Sequence, residues 1–216
     1  MQPGDIPQVM DIERQSFPAM WPQTVYQREL KNKLARFLVV YEPIDTEREA
    51  GQPPGGEAPG GGIGELVRRF FGGHPAPSRE RLLGIVGLWC MMGEGHIVTI
   101  AVRADERRQS IGEVLLLAAL EAAREAGQDV VTLEYRLSNR PARALYDKYG
   151  FRQMGVRARY YSDNQEDAVL MATPPLRSSA FRRLISERVA DLRSRWGDDY
   201  PLAGGGDWPP EATPSG

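Results

Sequence analysis

The stretch HIVTIAVRADERRQSIGEVLLLAALEAAREA, residues His96–Ala126, joins a strand pattern to a helix pattern. Its first part, His96–Val102, is a short run of β-branched residues bounded by a Glu-Gly pair and a charged segment, which predicts a strand. Its last part, Ile111–Ala126, carries apolar residues three and four positions apart, which predicts an amphipathic helix. Gly127 follows, and glycine is typical of the residue just past a helix end.

The turn between strand and helix, Arg107–Gly112, carries the candidate chemistry. A helix start offers unpaired backbone N–H groups and the positive end of the helix dipole, so it can hold a phosphate. Gly112 lacks a Cβ and allows an anion to approach the main chain, while Arg107 and Arg108 add charged donors. The turn therefore predicts a diphosphate site, with a solvated basic surface turn as the alternative.

The segments before this unit predict two helices and two strands. The helices are expected at Ile6–Phe17, with Asp5 as N-cap, and at Thr24–Leu34, with Val25, Leu30 and Leu34 turned inward. The strands are expected at Phe37–Tyr41 and Leu82–Cys90, as the two halves of an interrupted hairpin.

Glu42–Arg81, between those strands, is dense in glycine and proline, and its composition favours disorder. The short amphipathic island Glu65–Phe71 is expected to dock loosely, and contact with a partner or with the cleft is the alternative.

The segments after the unit complete a sheet. Val130–Tyr135 predicts a strand parallel to His96–Val102 through a right-handed crossover. Asn139 is the expected N-cap of a helix that ends near Tyr149, and Gly150 follows it. Two further strands and a last amphipathic helix are expected at Phe151–Val156, Ala168–Ala172 and Ser178–Trp196. That helix is expected to pack on its own domain, with a subunit contact as the alternative.

Composition restricts the function classes. The formal net charge is −2, from 27 basic and 29 acidic residues, so no broad basic face for nucleic acid is expected. The single cysteine, Cys90, excludes an internal disulfide and fits a reducing cytoplasm. His74 and His96 are far apart in sequence, so we expect no metal site. With no secretory pattern and no long apolar run, we expect a cytoplasmic protein without membrane contact.

Several of these pieces together resemble the GNAT N-acetyltransferases, and most closely the RimI type, which acetylates the N-terminal alanine of a small-subunit ribosomal protein. The matching pieces are ERQSFPAMWP, HIVTIAV, LEYRLSN, ALYDKYGF and RYYSDNQEDAVLM, spread over residues 5–42 and 82–172. The resemblance implies an α/β (α+β) GNAT fold: a mixed, mostly antiparallel sheet with a splayed parallel strand pair, helices on both faces and here an extra C-terminal helix. The expected domains are 1–173, containing the flexible insertion 43–81, then the helix 174–196 and a disordered tail 197–216.

The resemblance implies acetyl-CoA as donor, a primary amine as acceptor and no metal. It makes Glu134 the general base and Tyr146 the general acid, and it puts Asn139 near the pantetheine arm. Its remaining cofactor contacts are Ile100, Ala101, Val102, Arg107, Arg108, Gln109, Ser110, Ile111, Gly112 and Glu113. Ser110 departs from the family pattern R-x-x-G-x-G, which has glycine there, so its Cβ could crowd a phosphate or its hydroxyl could donate to one.

The chemistry of acetyl transfer fits these assignments independently. A carboxylate can take the proton of the amine, and a phenol, with an ordinary pKa of about 10, can protonate the departing thiolate. The structural alternatives are a surface position for Glu134, packing for Tyr146 and a helix cap for Asn139. His96 is expected to be a strand-edge residue and not a catalyst, and Cys90 is not expected to act as a nucleophile.

An extended protein N-terminus is the expected acceptor. Tyr160 and Tyr161, opposite Phe17 and Trp21, would form a narrow aromatic slot for it, with packing as the alternative for all four side chains. A small amine, a protein lysine and a non-catalytic CoA-binding role are the other functions left open. The expected partner is a protein N-terminus, with that of a ribosomal protein as the candidate, and the enzyme is expected to be a monomer or weak homodimer.

Overall fold

The computed structural model of the 216-residue chain describes residues 1–17, 22–43 and 80–196. Its six strands form one sheet in the order β1-β2-β3-β4-β6-β5. All neighbours are antiparallel except β3 and β4, which are parallel. This confirms the mixed, mostly antiparallel sheet that was expected. The strands are β1 (Ala35–Pro43), β2 (Glu80–Met91), β3 (Glu94–Val102), β4 (Val130–Arg136), β5 (Arg152–Arg157) and β6 (Ala168–Ala172).

Five α-helices connect and cover the sheet within the described residues. Helix α3 follows β3 and provides the crossover connection that a parallel strand pair needs. Its end has the expected cap, because Gly127 has a φ of +76°. The helices are α1 (Ile6–Ser16), α2 (Gln23–Glu29), α3 (Ile111–Glu125), α4 (Arg140–Lys148) and α5 (Ser179–Trp196).

The parallel pair separates along its length, and this creates the central cleft. Strand β3 pairs with β4 only over Glu94–Ile97, opposite Val130–Leu133. From Val98 onward β3 keeps its partner β2 but has no partner on the β4 side. The splayed strand pair is therefore present, and its opening begins at Ile97 and Leu133.

Apolar side chains cover both faces of the sheet. The larger cluster packs α3, including Leu115, Leu116 and Leu120, against one face. The smaller cluster packs α1 and α2 on the other face through residues such as Ile12 and Tyr26. Strand β2 is consequently buried on both sides from Leu82 to Leu88. This two-sided burial explains why its sequence is continuously apolar instead of alternating.

The C-terminal helix α5 packs on the larger cluster. Phe181, Ile185 and Leu192 are at most 2% exposed, and Leu184, Val189 and Trp196 pack around them. This is the own-domain packing that its apolar stripe predicted. None of the helices in the described part of the chain is long and apolar enough to span a bilayer.

Three sequence predictions were wrong at the residue level. Leu34, predicted to face inward, is 48% exposed, because α2 ends at Glu29 and Asn32 Oδ1 accepts the Leu34 N–H in a turn. Asp5 does not cap α1, since its carboxylate accepts the Gln2 N–H instead. His96 is not at a sheet edge, because it pairs with both β2 and β4. The insertion with its island Glu65–Phe71, and the tail 197–216, lie outside the described residues.

Candidate active site

The turn before α3 presents a row of free backbone donors. Arg108 and Ser110 have φ angles of +72° and +63°, so the backbone here alternates between left-handed and ordinary conformations. The backbone N–H groups from Arg108 to Gly112 donate no hydrogen bond to any acceptor among the described residues. A concave run of such N–H groups at a helix start is a suitable site for a diphosphate.

The two arginines of this turn have different surroundings. The Arg107 guanidinium donates to Val102 O, Gln15 O and Ser16 Oγ, each at 3.2 Å, so it ties the end of α1 to the end of β3. Arg108 is exposed and has no hydrogen bond or ion pair with the rest of the described chain. Of the two, Arg108 is therefore the better placed to pair with a phosphate.

Gly112 leaves room that the protein itself does not fill. A Cβ added there would meet Leu145 Cδ2 at 3.6 Å and Val102 Cγ2 at 3.8 Å, which are ordinary contacts. Packing therefore does not require glycine at this position. A glycine that packing does not require is compatible with a bound group that approaches the main chain closely.

The separated part of β3 contains Ile100, Ala101 and Val102, the three strand positions implied as cofactor contacts. Their backbone lies beyond the last β3–β4 pair and faces the opening. An extended group with amide functions can hydrogen bond to such an unpaired strand edge. The structure thus brings these residues and the Arg108–Gly112 turn to one continuous edge.

Glu113, in the first turn of α3, connects three helices. Its carboxylate accepts from Lys148 Nζ at 2.6 Å, from Tyr149 Oη at 2.7 Å and from Arg195 Nη2 at 3.2 Å. Burial opposes the charge, but the bonds from Lys148 and Tyr149 and the charge of Arg195 outweigh it and lower the pKa of Glu113. Glu113 is therefore ionised and internally paired, which makes it a support of the turn.

Glu134 is a buried carboxylate at the mouth of the opening. It follows Leu133, the last residue of β4 paired with β3, and its side chain is only 7% exposed. Arg157 Nη2 lies 3.0 Å from Oε1, and His96 Nε2 lies 3.1 Å from Oε2. The alternative of a simple surface strand residue does not fit this burial and these two partners.

His96 links Glu134 to a chain of polar groups. The Thr132 hydroxyl donates to Glu94, so its oxygen accepts from His96 Nδ1 at 2.8 Å. The other ring nitrogen, Nε2, lies 3.1 Å from Glu134 Oε2. His96 therefore connects Glu134 to Thr132 and Glu94, at the paired ends of β3 and β4.

Tyr146 lies on the other side of β4. Side chains alternate along a strand, so Tyr135 points to the face covered by α3, while Glu134 points to the opposite face. The Tyr146 ring packs at 5.7 Å from the rings of both Tyr135 and Phe151. Burial raises the pKa of Tyr146, and its hydroxyl has no hydrogen-bond partner within the described part of the chain. Glu134 and Tyr146 thus lie on opposite faces of β4.

The remaining predicted residues lie at the borders of this region. Asn139 caps α4, since its Oδ1 accepts the Ala142 N–H at 3.1 Å. Tyr160 and Tyr161 pack edge to face at 5.2 Å, and Arg136 lies 3.8 Å from the Tyr161 ring centre. Phe17 is partly buried against the smaller cluster, and Trp21 lies outside the described residues. Gln109 donates to Glu106, and Ile111 is buried in the larger cluster.

Arg157 and Arg195 were not predicted from the sequence to belong to this region. The contact of His96 with Glu134 was not predicted either. His96 could have been found, because the predicted parallel pairing puts β3 beside β4, where Glu134 lies. Arg157 and Arg195 come from elements whose approach to the site depends on tertiary packing, so no local pattern indicates them. No cluster of three metal-binding side chains occurs among residues 1–17, 22–43 and 80–196.

Comparison with known proteins identifies the family of the chain. The sequence pattern of the acetyltransferase (GNAT) family matches residues 62–151. A Bacillus subtilis (strain 168) protein provisionally named ribosomal protein bS18-alanine N-acetyltransferase is 33% identical over 172 residues, covering 79% of this chain and 90% of that protein. An N-alpha-acetyltransferase of Sulfurisphaera tokodaii is 33% identical over 171 residues, covering 79% of this chain and 87% of that protein.

A solved structure has the same fold. The ribosomal-protein-S18-alanine N-acetyltransferase from Escherichia coli superimposes with a TM-score of 0.58 over 81% of this chain and 90% of that chain, at 21% identity. Sequence identity over most of the chain and a shared fold agree on the same assignment. The chain therefore belongs to the GNAT family and is an N-acetyltransferase.

Proposed function

We propose that this enzyme transfers the acetyl group of acetyl-CoA to the N-terminal α-amino group of a protein, with an N-terminal alanine of a ribosomal protein as the first candidate. The observation that carries the proposal is the buried Glu134 at the point where β3 and β4 separate, on the sheet face opposite the helix α3. A base in that position meets an amine that enters from one face and a thioester that enters from the other.

The donor side is formed by the turn and the open strand edge. The N–H groups of Arg108 to Gly112 and the Arg108 side chain would hold the diphosphate, and the backbone of Ile100–Val102 would hold the pantetheine amides. Helix α4, capped by Asn139, would form the opposite wall of the same channel. When bound, acetyl-CoA supplies an activated acetyl group at the opening.

Glu134 would act as the general base. The Glu134 carboxylate can take a proton from the attacking amine, directly or through a water. The amine nitrogen then forms a bond to the thioester carbonyl carbon. Arg157 on the other carboxylate oxygen keeps Glu134 oriented while it is charged.

Tyr146 would complete the transfer as the general acid. The carbon–sulfur bond breaks as the tetrahedral intermediate collapses, and the sulfur leaves as a thiolate. The Tyr146 hydroxyl, which has no competing partner within the described residues, can donate its proton to that sulfur. The products are an acetylated amine and free CoA. Glu134 is left protonated and Tyr146 deprotonated, so Glu134 must release a proton to solvent and Tyr146 must take one up before the next turnover.

The acceptor side supports an extended peptide. Tyr160 and Tyr161 stand with the cations Arg157 and Arg136 close to Glu134, and Tyr160 is 47% exposed. Phenol and guanidinium groups can donate to the carbonyls of an extended backbone. The names of two relatives support this substrate class: one is named for acetylation of a ribosomal-protein alanine and the other as an N-alpha-acetyltransferase.

A panel of amines tests the proposal. Peptides that begin with Ala or Ser should be acetylated at the α-amino group, with a kcat/KM at least about tenfold above that for spermidine or for a peptide with only an internal lysine. The same peptides with a blocked N-terminus are the matched control and should not react. Preferred acetylation of the polyamine or of the lysine would contradict the proposed acceptor.

A further inference from the structure

Helix α5 reaches the donor-binding turn although it lies outside the residues that the family pattern matches, 62–151. Arg195, in its last turn, donates from Nη1 to Ser110 Oγ at 2.8 Å. Ser110 is the residue just before α3, and it stands where the R-x-x-G-x-G pattern has glycine. One long-range contact thus joins the C-terminal helix to the position at which this chain departs from its family.

The Arg195 guanidinium is held in place by two carboxylates. Its Nη2 donates to Glu113 Oε1 at 3.2 Å and to Asp191 Oδ2 at 3.2 Å. Lys148 also lies on Glu113, at 2.6 Å, and 3.7 Å from Asp191. The two cations and two anions balance each other, so Arg195 is fixed and its charge is already matched.

Ser110 needs such a support. Its φ of +63° is a left-handed conformation that glycine adopts freely, while a residue with a Cβ adopts it at a cost. The bond from Arg195 occupies an acceptor lone pair of Oγ. The hydroxyl proton therefore points away from the guanidinium and can be donated to an anionic oxygen.

We propose that Arg195 is a positioning residue for the donor: it holds Ser110 in the left-handed conformation, so that the backbone N–H groups of the turn and the Ser110 hydroxyl face the diphosphate. The inference rests on the proposed function, because it takes Arg108–Gly112 to be the diphosphate site. Arg195 acts through Ser110 and does not itself bind the phosphates, since Glu113 and Asp191 already neutralise it.

Arg195→Ala tests the role against two donors. The Kd for CoA and the KM for acetyl-CoA should rise roughly fivefold, as expected for one lost hydrogen bond. The kcat at saturating acetyl-CoA should stay within about twofold of the wild-type value. With S-acetylpantetheine, which lacks the diphosphate, kcat/KM should not change. An equal loss with both donors would overturn the proposal, because it would mean general damage to the site.

Two controls make the test specific. Arg183→Ala removes an exposed arginine of the same helix and should leave both donors unaffected. Ser110→Gly removes the need for the support, so adding Arg195→Ala in that background should change the Kd for CoA by less than about twofold. The same fivefold loss with and without Ser110→Gly would contradict action through Ser110.

Titration of the wild-type enzyme with CoA distinguishes a failure of the role proposed for Arg195 from a failure of the proposed donor site. If the wild-type enzyme binds CoA and Arg195→Ala binds it equally well, the inference about α5 is wrong while the proposed donor site stands. If the wild-type enzyme does not bind CoA, both are wrong.

Discussion

Glu134 combines burial with two close partners, Arg157 and His96, an arrangement that a surface carboxylate would not need. Glu134→Gln keeps the shape but can no longer accept a proton. We expect kcat with an alanine-starting peptide to fall about a hundredfold or more, and the Kd for CoA to stay within about twofold. Steady-state kinetics and calorimetry check both values.

The matched control is Glu121→Gln, which changes a partly exposed glutamate paired with Arg124 on α3. It should leave kcat unchanged. A Glu134→Gln enzyme that is as fast as this control would remove Glu134 from the mechanism.

Tyr146 is predicted to donate a proton, and its burial determines the pH range in which it can. Because burial raises the pKa of Tyr146 above its ordinary value, the phenol stays protonated throughout the neutral and mildly alkaline range. Ionisation of Tyr146 should therefore give kcat no descending limb below about pH 10. A pH–rate profile tests this, and a limb near neutrality that disappears in Tyr146→Phe would contradict it.

Two tyrosine variants separate catalysis from stability. Tyr146→Phe should lower kcat with little change in the free energy of unfolding, since its hydroxyl has no partner in the described chain. Tyr149→Phe loses the bond to Glu113 and should destabilise by about 1–2 kcal/mol, with kcat at saturating donor retained.

A helical spacing of apolar residues correctly predicted the buried face of α5 but not the environment of Leu34. Leu192 is fully buried in the larger cluster, whereas Leu34 is 48% exposed despite its helix-like spacing. Leu192→Ala should lower the free energy of unfolding by about 2–5 kcal/mol, and Leu34→Ala should change it by less than about 0.5 kcal/mol. Urea denaturation measures both, and similar losses would contradict the packing described for α5.

The elements that sequence predicted well share a physical reason. The strands and α3–α5 contain repeated apolar positions, and caps such as Asn139 and Gly127 fix their ends through local contacts. Helix α2 was predicted too long because its end depends on a single Asn32 turn, which the apolar spacing does not reveal. His96 was misplaced for another reason: whether a strand is at the edge depends on the order of all six strands.

The local part of the site could be predicted from the sequence, whereas the part that depends on tertiary packing could not. The Arg107–Gly112 turn is local, so its sequence pattern predicts the free N–H groups that the structure has. Arg157 contacts Glu134, 23 residues away in sequence, and Arg195 contacts Ser110, 85 residues away. Both contacts depend on tertiary packing, which no local sequence pattern predicts.

At the scale of the whole molecule, Glu113 joins α3, α4 and α5, so its ionisation should affect global stability. Its folded pKa lies below the ordinary value of 4.5, so the unfolded chain binds the proton at higher pH. The stabilisation is complete above that unfolded value and is lost as the pH falls through the folded pKa.

Glu113→Gln should therefore be less stable than the wild-type enzyme near pH 7, and the difference should shrink as the pH falls below about 4. Urea midpoints across this range measure it, with Glu187→Gln, an exposed glutamate of α5, as control. A difference that does not depend on pH would mean that the charge of Glu113 does not stabilise the fold.

The whole account depends on where the donor binds, and a crystal structure of the enzyme with CoA tests this most directly. We predict that the diphosphate lies on the backbone N–H groups of Arg108 to Gly112, with the pantetheine along Ile100–Val102 and the sulfur at the opening between Glu134 and Tyr146. A diphosphate bound elsewhere, or a thiol that does not reach this opening, would contradict the account.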